Sequence, residues 1–233
     1  MALAQQLPPP EEKAAVVEAM FDRIAPHYDR MNRLFTFRLD QRWRRLLLQR
    51  ARVGHSDIIV DLGCGTGDLC ELAAAAGARV VGLDFAARML AAARARLSDA
   101  PLVRADAAAL PLATASATVV SSAFALRNFV SIPGVLAEAA RVLVRGGRLA
   151  LLEVDEPTGR WQRWGHAVYF RRIVPLLGAL LAERAAYAYL PRSTAYLPPE
   201  RALLELVTRA GFERVAKHRL SLGIAQLIIA ERS

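Results

Sequence analysis

Apolar residues in this chain fall into short continuous blocks separated by longer stretches with helical character. The blocks lie at 58–62, 79–84, 102–105, 117–124 and 147–154. Between them, 67–76, 86–98 and 133–145 read as helices. Strands and helices that alternate in this way imply a parallel sheet with right-handed crossovers. Pro133 suits a first helical turn, and Gly146-Gly147 is read as that helix's end. Residues 1–10 close on Pro8-Pro9-Pro10 and read as a loose tail. Residues 11–51 read as helical, with Asp40 capping a helix that carries Trp43 and Leu46-Leu47-Leu48. From Glu156 to about Tyr196 the alternation gives way to an aromatic, arginine-rich, apolar insertion. Pro198-Pro199-Glu200 then opens a last helix to about Ala210. Residues 212–220 and 224–232 read as a strand pair turning at Ser221-Leu222-Gly223. The expectation is one α/β unit over 1–233, with a helical cap (11–51), a core (52–155), a helical insertion (156–196) and a C-terminal helix and hairpin (197–233). Its sheet is mostly parallel and seven-stranded, ending in an antiparallel hairpin.

Composition narrows this picture. The chain has 233 residues, 54% of them hydrophobic, which suffices for one core. Cys64 and Cys70 are its two cysteines. The four histidines (His27, His55, His166, His218) are scattered, so no metal site is read. No charged-then-apolar leader opens the chain and no apolar run approaches a membrane span, so a cytoplasmic location is expected. The net charge is +9 and almost wholly arginine, Lys13 and Lys217 being the two lysines. Arg38, Arg42, Arg44, Arg45, Arg50 and Arg52 form one cluster. Arg171-Arg172, before the apolar run 173–181, form another. Solvated helix faces are the ordinary reading. A basic edge beside an apolar patch also suits a peripheral membrane enzyme.

The densest chemical signal is Ile58-Ile59-Val60-Asp61-Leu62-Gly63-Cys64-Gly65-Thr66-Gly67-Asp68, answered by Val80-Val81-Gly82-Leu83-Asp84. A strand that runs through a glycine turn into a helix offers free backbone N–H groups at the carboxyl edge of the sheet. Asp84 ends the next apolar run, about 20 residues on, where a carboxylate accepts ribose hydroxyls. A dinucleotide site would show G-x-G-x-x-G. Here the glycines alternate, and Asp61 and Asp68 flank them, which would repel a pyrophosphate. These acids suit a cationic sulfonium bearing an amino group, S-adenosylmethionine. A generic glycine loop in another nucleotide-binding sheet is the alternative.

Several further segments carry a resemblance. Phe21-Asp22-Arg23-Ile24-Ala25-Pro26-His27-Tyr28-Asp29-Arg30-Met31-Asn32 with Leu39-Asp40-Gln41-Arg42-Trp43-Arg44, the glycine loop, and Leu126-Arg127-Asn128 resemble signatures of the ubiquinone/menaquinone biosynthesis C-methyltransferases. So do Arg141 to Leu149 with Leu152-Glu153, Tyr189-Leu190-Pro191-Arg192-Ser193, and Gly223-Ile224-Ala225. The resemblance spans roughly 17–232. Ala86, Ala108 and Ala117-Thr118 depart from the family's pattern and leave secondary cofactor contacts open.

The resemblance implies a Rossmann-like class I methyltransferase fold and methyl transfer from S-adenosylmethionine to a ring carbon of a prenylated quinol, such as demethylmenaquinol. It also implies roles. Asp84 binds the ribose. Gly63, Gly65 and Thr66 wrap the methionine moiety, with Asp61 positioning the loop or the amino group. Asp106 and the Ala107 N–H meet the adenine. Arg127 polarises the quinol oxygen, directly or through water, Asn128 orients it, and Tyr28 closes over cofactor or ring. Residues 160–190 shape a tail channel. Each has a structural alternative: a loop acid at Asp106, a helix-entry pair at 127–128, aromatic packing at Tyr28, and a hydrophobic helix pair or dimer contact at 160–190. The rivals are methylation of another small molecule or of RNA, and a dehydrogenase or non-enzymatic nucleotide binder. RNA amino-methylating enzymes typically carry Asp/Asn-Pro-Pro-Tyr after the fourth strand, where this chain has Phe124-Ala125-Leu126-Arg127-Asn128. No nucleic-acid partner is therefore expected.

Overall fold

The computed structural model describes residues 10–155, 159 and 192–233. The tail 1–9 and nearly all of the insertion, including the tail channel expected at 160–190, lie outside the described residues. Seven strands form one sheet: β1 (Ile58–Leu62), β2 (Arg79–Asp84), β3 (Leu102–Arg104), β4 (Ala117–Ala123), β5 (Leu143–Val154), β6 (Phe212–Leu220) and β7 (Ala225–Arg232). Their order across the sheet is β3-β2-β1-β4-β5-β7-β6. The first five are parallel, and β7 runs antiparallel between β5 and β6. The order reverses direction between β1 and β4, which opens a crevice at their carboxyl ends.

Both faces of the sheet are buried, so its central strands are apolar on both sides. Val60, Val120 and Leu149 face one way, against α6 (Ile132–Val142) and α7 (Glu200–Arg209). Ile59, Val119 and Leu152 face the other, against α3 (Leu39–Arg50), α4 (Asp68–Ala75) and α5 (Ala87–Arg94). Leu47, Leu69, Leu90, Leu136 and Leu149 are essentially inaccessible. Each such leucine contributes roughly 1.5–3 kcal/mol of burial free energy. Ser131 caps α6, its hydroxyl accepting the Gly134 N–H at 3.1 Å, and Pro133 lies in the first turn as its fixed φ favours.

Two local expectations are corrected. Gly146-Gly147 does not end α6, which stops at Val142. Both glycines lie within β5, where the register against β4 shifts between Ala117 and Val119. A Cβ on Gly147 would stand 2.8 Å from the Val144 carbonyl oxygen and 3.2 Å from that of Thr118, so the close approach of the two strands demands glycine. Asp40 does not cap α3 either. The helix starts at Leu39 behind Arg38, whose φ is 63°. The Asp40 carboxylate instead accepts the Thr36 hydroxyl at 2.7 Å and binds α3 to the turn after α2 (Tyr28–Phe35).

The first helix, α1 (Pro10–Ile24), crosses the carboxyl edge of the sheet and is pinned at three places. Lys13 Nζ donates to the Phe129 carbonyl at 2.6 Å and stands over the Tyr196 ring. Arg104 pairs with Glu18 at 2.5 Å. The Asp22 carboxylate accepts the Arg88 N–H at 2.8 Å. No described helix is long and apolar enough to cross a membrane.

Candidate active site

Where the strand order reverses, the carboxyl ends of β1, β2 and β4 and the loop after β3 surround a cleft of about 850 Å³, open mouth included. Gly63, Gly65, Asp84, Asp106 and Ala107 form its floor. Ala123 to Ala125, Asn128, Phe129 and Val130 form one end. Ala14, Val17, Glu18 and Phe21 of α1, with Tyr28, form its roof.

The floor depends on the glycine loop. Gly63, Gly65 and Gly67 have φ of 67°, 56° and 88°, a region that costs other residues strain. At Gly63 space also decides, because a Cβ there would lie 2.5 Å from that of Ala125. Asp84 ties the loop to the next strand. One carboxylate oxygen accepts the Gly65 N–H and the other the Ala86 N–H, both at 2.8 Å. Each oxygen retains acceptor capacity for a ligand hydroxyl. Burial pushes this carboxyl's pKa up, against three backbone hydrogen bonds.

Asp61 is 2% exposed and lies behind the loop, outside the cleft lining. Its carboxylate accepts the Ser121 hydroxyl at 2.7 Å and the Cys70 thiol at 3.5 Å. Burial raises its pKa to about 6. The folded state therefore holds this proton more tightly than the unfolded chain, and stability contributed here falls as pH rises from about 4 through 6. The substitution Asp61→Asn keeps an acceptor for Ser121 and removes the charge. Urea unfolding should find it more stable than wild type at pH 7.5, by up to ~3 kcal/mol, with the difference fading at pH 4.5. A variant less stable at both pH values would show that the carboxylate's hydrogen bonds outweigh its desolvation.

The other sequence-read residues are placed as follows. Thr66 is buried and outside the lining, its hydroxyl donating to Asp29 at 2.5 Å. Asp68, which the sequence reading aimed at the cofactor's charges, is engaged by Arg33, Arg96 and Gln41. Burial would raise its pKa, but Arg44, Arg96 and Arg33 hold it low. Asp106 lines the cleft with one oxygen on the Ala108 N–H at 2.8 Å, and Ala107 lies beside it. Tyr28 packs edge-on against Phe21 at 6.0 Å, and burial raises its phenol pKa.

Leu126–Asn128 form a single 3-10 turn after β4. Asn128 lines the cleft. Arg127 is 6% exposed and is not part of that lining. Its guanidinium forms an ion pair with Glu153 of β5, donates to Ser193 at 3.0 Å and holds the Phe124 carbonyl at 2.8 Å. Glu153 also accepts the backbone N–H groups of Arg127 and Val154. Phe124 has a φ of 63°, unusual for a side chain of its size, and the Arg127 bond holds it there.

A model described as the ubiE/COQ5 methyltransferase family matches residues 10–232. The chain belongs to that family. As a ubiE/COQ5 methyltransferase it is 40% identical over 226 residues to the "Demethylmenaquinone methyltransferase" of Roseiflexus sp. (strain RS-1), covering 95% of each chain. It is 41% identical over 220 residues to the protein of that name in Thermus thermophilus, covering 91% of this chain and all of the other. The fold is shared more widely. A Thermotoga maritima structure described as an SAM-dependent methyltransferase, possible histamine N-methyltransferase, matches with a TM-score of 0.65 at 20% identity, covering 93% of this chain and 100% of the other.

Sequence reasoning missed two groups in this ubiE/COQ5 site. Phe21 and Glu18 of α1 roof the cleft. Their helical spacing was legible, but which surface α1 covers is a tertiary fact. Arg44 was read as one of a basic cluster and as the end of a family signature, with no role assigned, and it is buried.

Proposed function

We propose that this chain methylates a ring carbon of a prenylated quinol, demethylmenaquinol, with S-adenosylmethionine as donor. One observation supports this above all. Asp84, fixed by both oxygens, lines a cleft that also presents the polar Asp106-Ala107 pair and the apolar side chains of Phe124, Phe129 and Val130. That combination suits a nucleoside together with an apolar ring. The names of the relatives point to the same acceptor.

The residues fit the donor. Asp84 takes the ribose hydroxyls, and Asp106 with the Ala107 N–H takes the adenine edge. Gly63 and Gly65 leave room for the methionine chain, because no side chain stands there. When bound, the cofactor supplies an electrophilic methyl on a positively charged sulfur. The protein's part is alignment: effective molarities for well-oriented reactants reach on the order of 10⁵–10⁸ M. Asn128 orients a quinol hydroxyl beside Phe129, and Tyr28 closes the roof. A phenol titrates near ~10, so ionising the acceptor at neutral pH costs about 4 kcal/mol. Hydrogen bonds to its oxygen in a dry site reduce that cost. The charge of Arg127 is balanced by Glu153, so its proposed role is positional: it holds Phe124 and the 126–128 turn that presents Asn128.

The test is a methylation assay that compares reduced demethylmenaquinone with the demethylated benzoquinol, read by product mass. The naphthoquinol should be preferred at least ~10-fold in kcat/KM. A benzoquinol preference, or no product from either, would overturn the reading. A seat at an anionic membrane surface belongs to the same proposal. Phe37 and Leu222 are 72% and 76% exposed. The Trp43 indole N–H, bonded to Ser221 at 3.0 Å, joins the turn bearing Leu222 to the arginine-rich helix that follows Phe37.

A further inference from the structure

Arg44 is a buried cation that makes no direct ion pair among the described residues, its charge being offset only at longer range by Asp61 and Asp68. It is 5% exposed, and its Nε has no hydrogen-bond partner. Neighbouring arginines are neutralised: Arg33 by Asp68, Arg96 by Asp29, Asp68 and Glu71, and Arg127 by Glu153. Arg44 forms no ion pair among the described residues. Its guanidinium stands 5.4 Å from the centre of the Phe124 ring, a wall of the cleft. Its charge is felt at Tyr28 of the roof and at Asp61 and Asp68 on either side of the glycine loop. It thus stands just behind the cleft lining, next to the Phe124 wall and the glycine loop. Burying an unpaired charge is expensive, so such a residue is expected to face a partner that arrives with the ligand.

Resting on the cofactor reading above, we propose that Arg44 is the counter-ion for the α-carboxylate of the cofactor's methionine moiety. A guanidinium suits this role because its planar fork binds a carboxylate through paired hydrogen bonds. The bound ligand thereby brings the direct anionic partner that the described residues do not supply, and Asp61 behind the loop balances the ligand's positive groups. Arg44 then also fixes where the methionine chain ends, and with it the direction in which the sulfur faces Asn128.

Calorimetry with two nucleosides tests this. S-Adenosylhomocysteine has the amino-acid portion, and 5′-methylthioadenosine lacks it. The variant Arg44→Met should weaken the first roughly 30-fold and the second less than ~3-fold, with Arg44→Lys between. Equal losses for both ligands would make Arg44 a mere pocket support and overturn the assignment. So would undiminished S-adenosylhomocysteine binding with methyl transfer lost, which would put the charge on the acceptor. Wild type itself provides a second measurement that needs no variant to fold. The α-carboxamide of S-adenosylhomocysteine should bind at least ~30-fold more weakly than the acid, and equal binding would overturn the proposal. Failure of either nucleoside to bind wild type would overturn the underlying cofactor reading instead.

Discussion

Asp84→Ala should lower affinity for S-adenosylhomocysteine by about 10²–10⁴-fold while leaving the free protein folded. A carboxylate that accepts two ribose hydroxyls makes two charge-assisted hydrogen bonds, each worth about 1.5–3 kcal/mol. Losing both gives the stated range. The same carboxylate holds the Gly65 and Ala86 N–H groups, so its loss also loosens the loop that must meet the ligand. The free protein gains something in return, because this carboxyl is buried and its ionised form is penalised. Melting temperatures of the free variant should therefore stay close to wild type, and the ligand-induced rise should collapse. Asp84→Asn, with one acceptor oxygen left, should fall between. Unchanged affinity in Asp84→Ala would remove the ribose role.

Breaking the Arg127–Glu153 pair should be the most destabilising single change at the site. Both partners are nearly inaccessible, and removing one leaves the other charged in a low-dielectric interior, at a cost of about 3–5 kcal/mol. Arg127→Ala should lose that much in urea unfolding, and Arg127→Met/Glu153→Gln should recover most of it. Activity should not follow stability. The double variant loses the Arg127 bonds to Ser193 and to the Phe124 carbonyl, which keeps only the long 3.5 Å bond from the Asn128 amide, so Phe124 is loosened from its left-handed conformation and Asn128 with it. We expect kcat to fall about 100-fold while the cofactor dissociation constant changes less than ~3-fold. A double variant that recovered kcat along with stability would refute the positioning role.

Much of the frame was legible because strand and helix periods are local. The limits of β1 and β2 follow from runs of apolar residues closed by glycine or acid. The hairpin turn at 221–223 follows from a break between two such runs. Errors arose where distant atoms decide. Gly146-Gly147 looked like a helix terminator because glycine commonly is one; the nearby β4 backbone, nearly thirty residues back in the chain, makes it a strand bulge. Asp40 looked like a cap, but the left-handed pair Phe37-Arg38 starts the helix earlier and turns its carboxylate toward Thr36. Arg127 could be singled out from its motif, whereas its partner, twenty-six residues away on β5, could not. Arg44 illustrates the converse: in a run of arginines, burial is the distinguishing property, and burial depends on what packs above.

The two thiols have a practical consequence. Cys64 and Cys70 are the chain's only cysteines; both are buried, burial helps raise both thiol pKa values, and a Cβ on Gly82 would lie 3.0 and 3.2 Å from their sulfurs. Thiol reagents attack the thiolate, so the native enzyme resists alkylation as it stands. A single cysteine introduced at Val130, 54% exposed on the cleft's rim, is then the one reactive sulfur on the molecule. A fluorophore attached there reports arrivals beside Phe129, with no need to strip the native cysteines from the glycine loop and the helix after it.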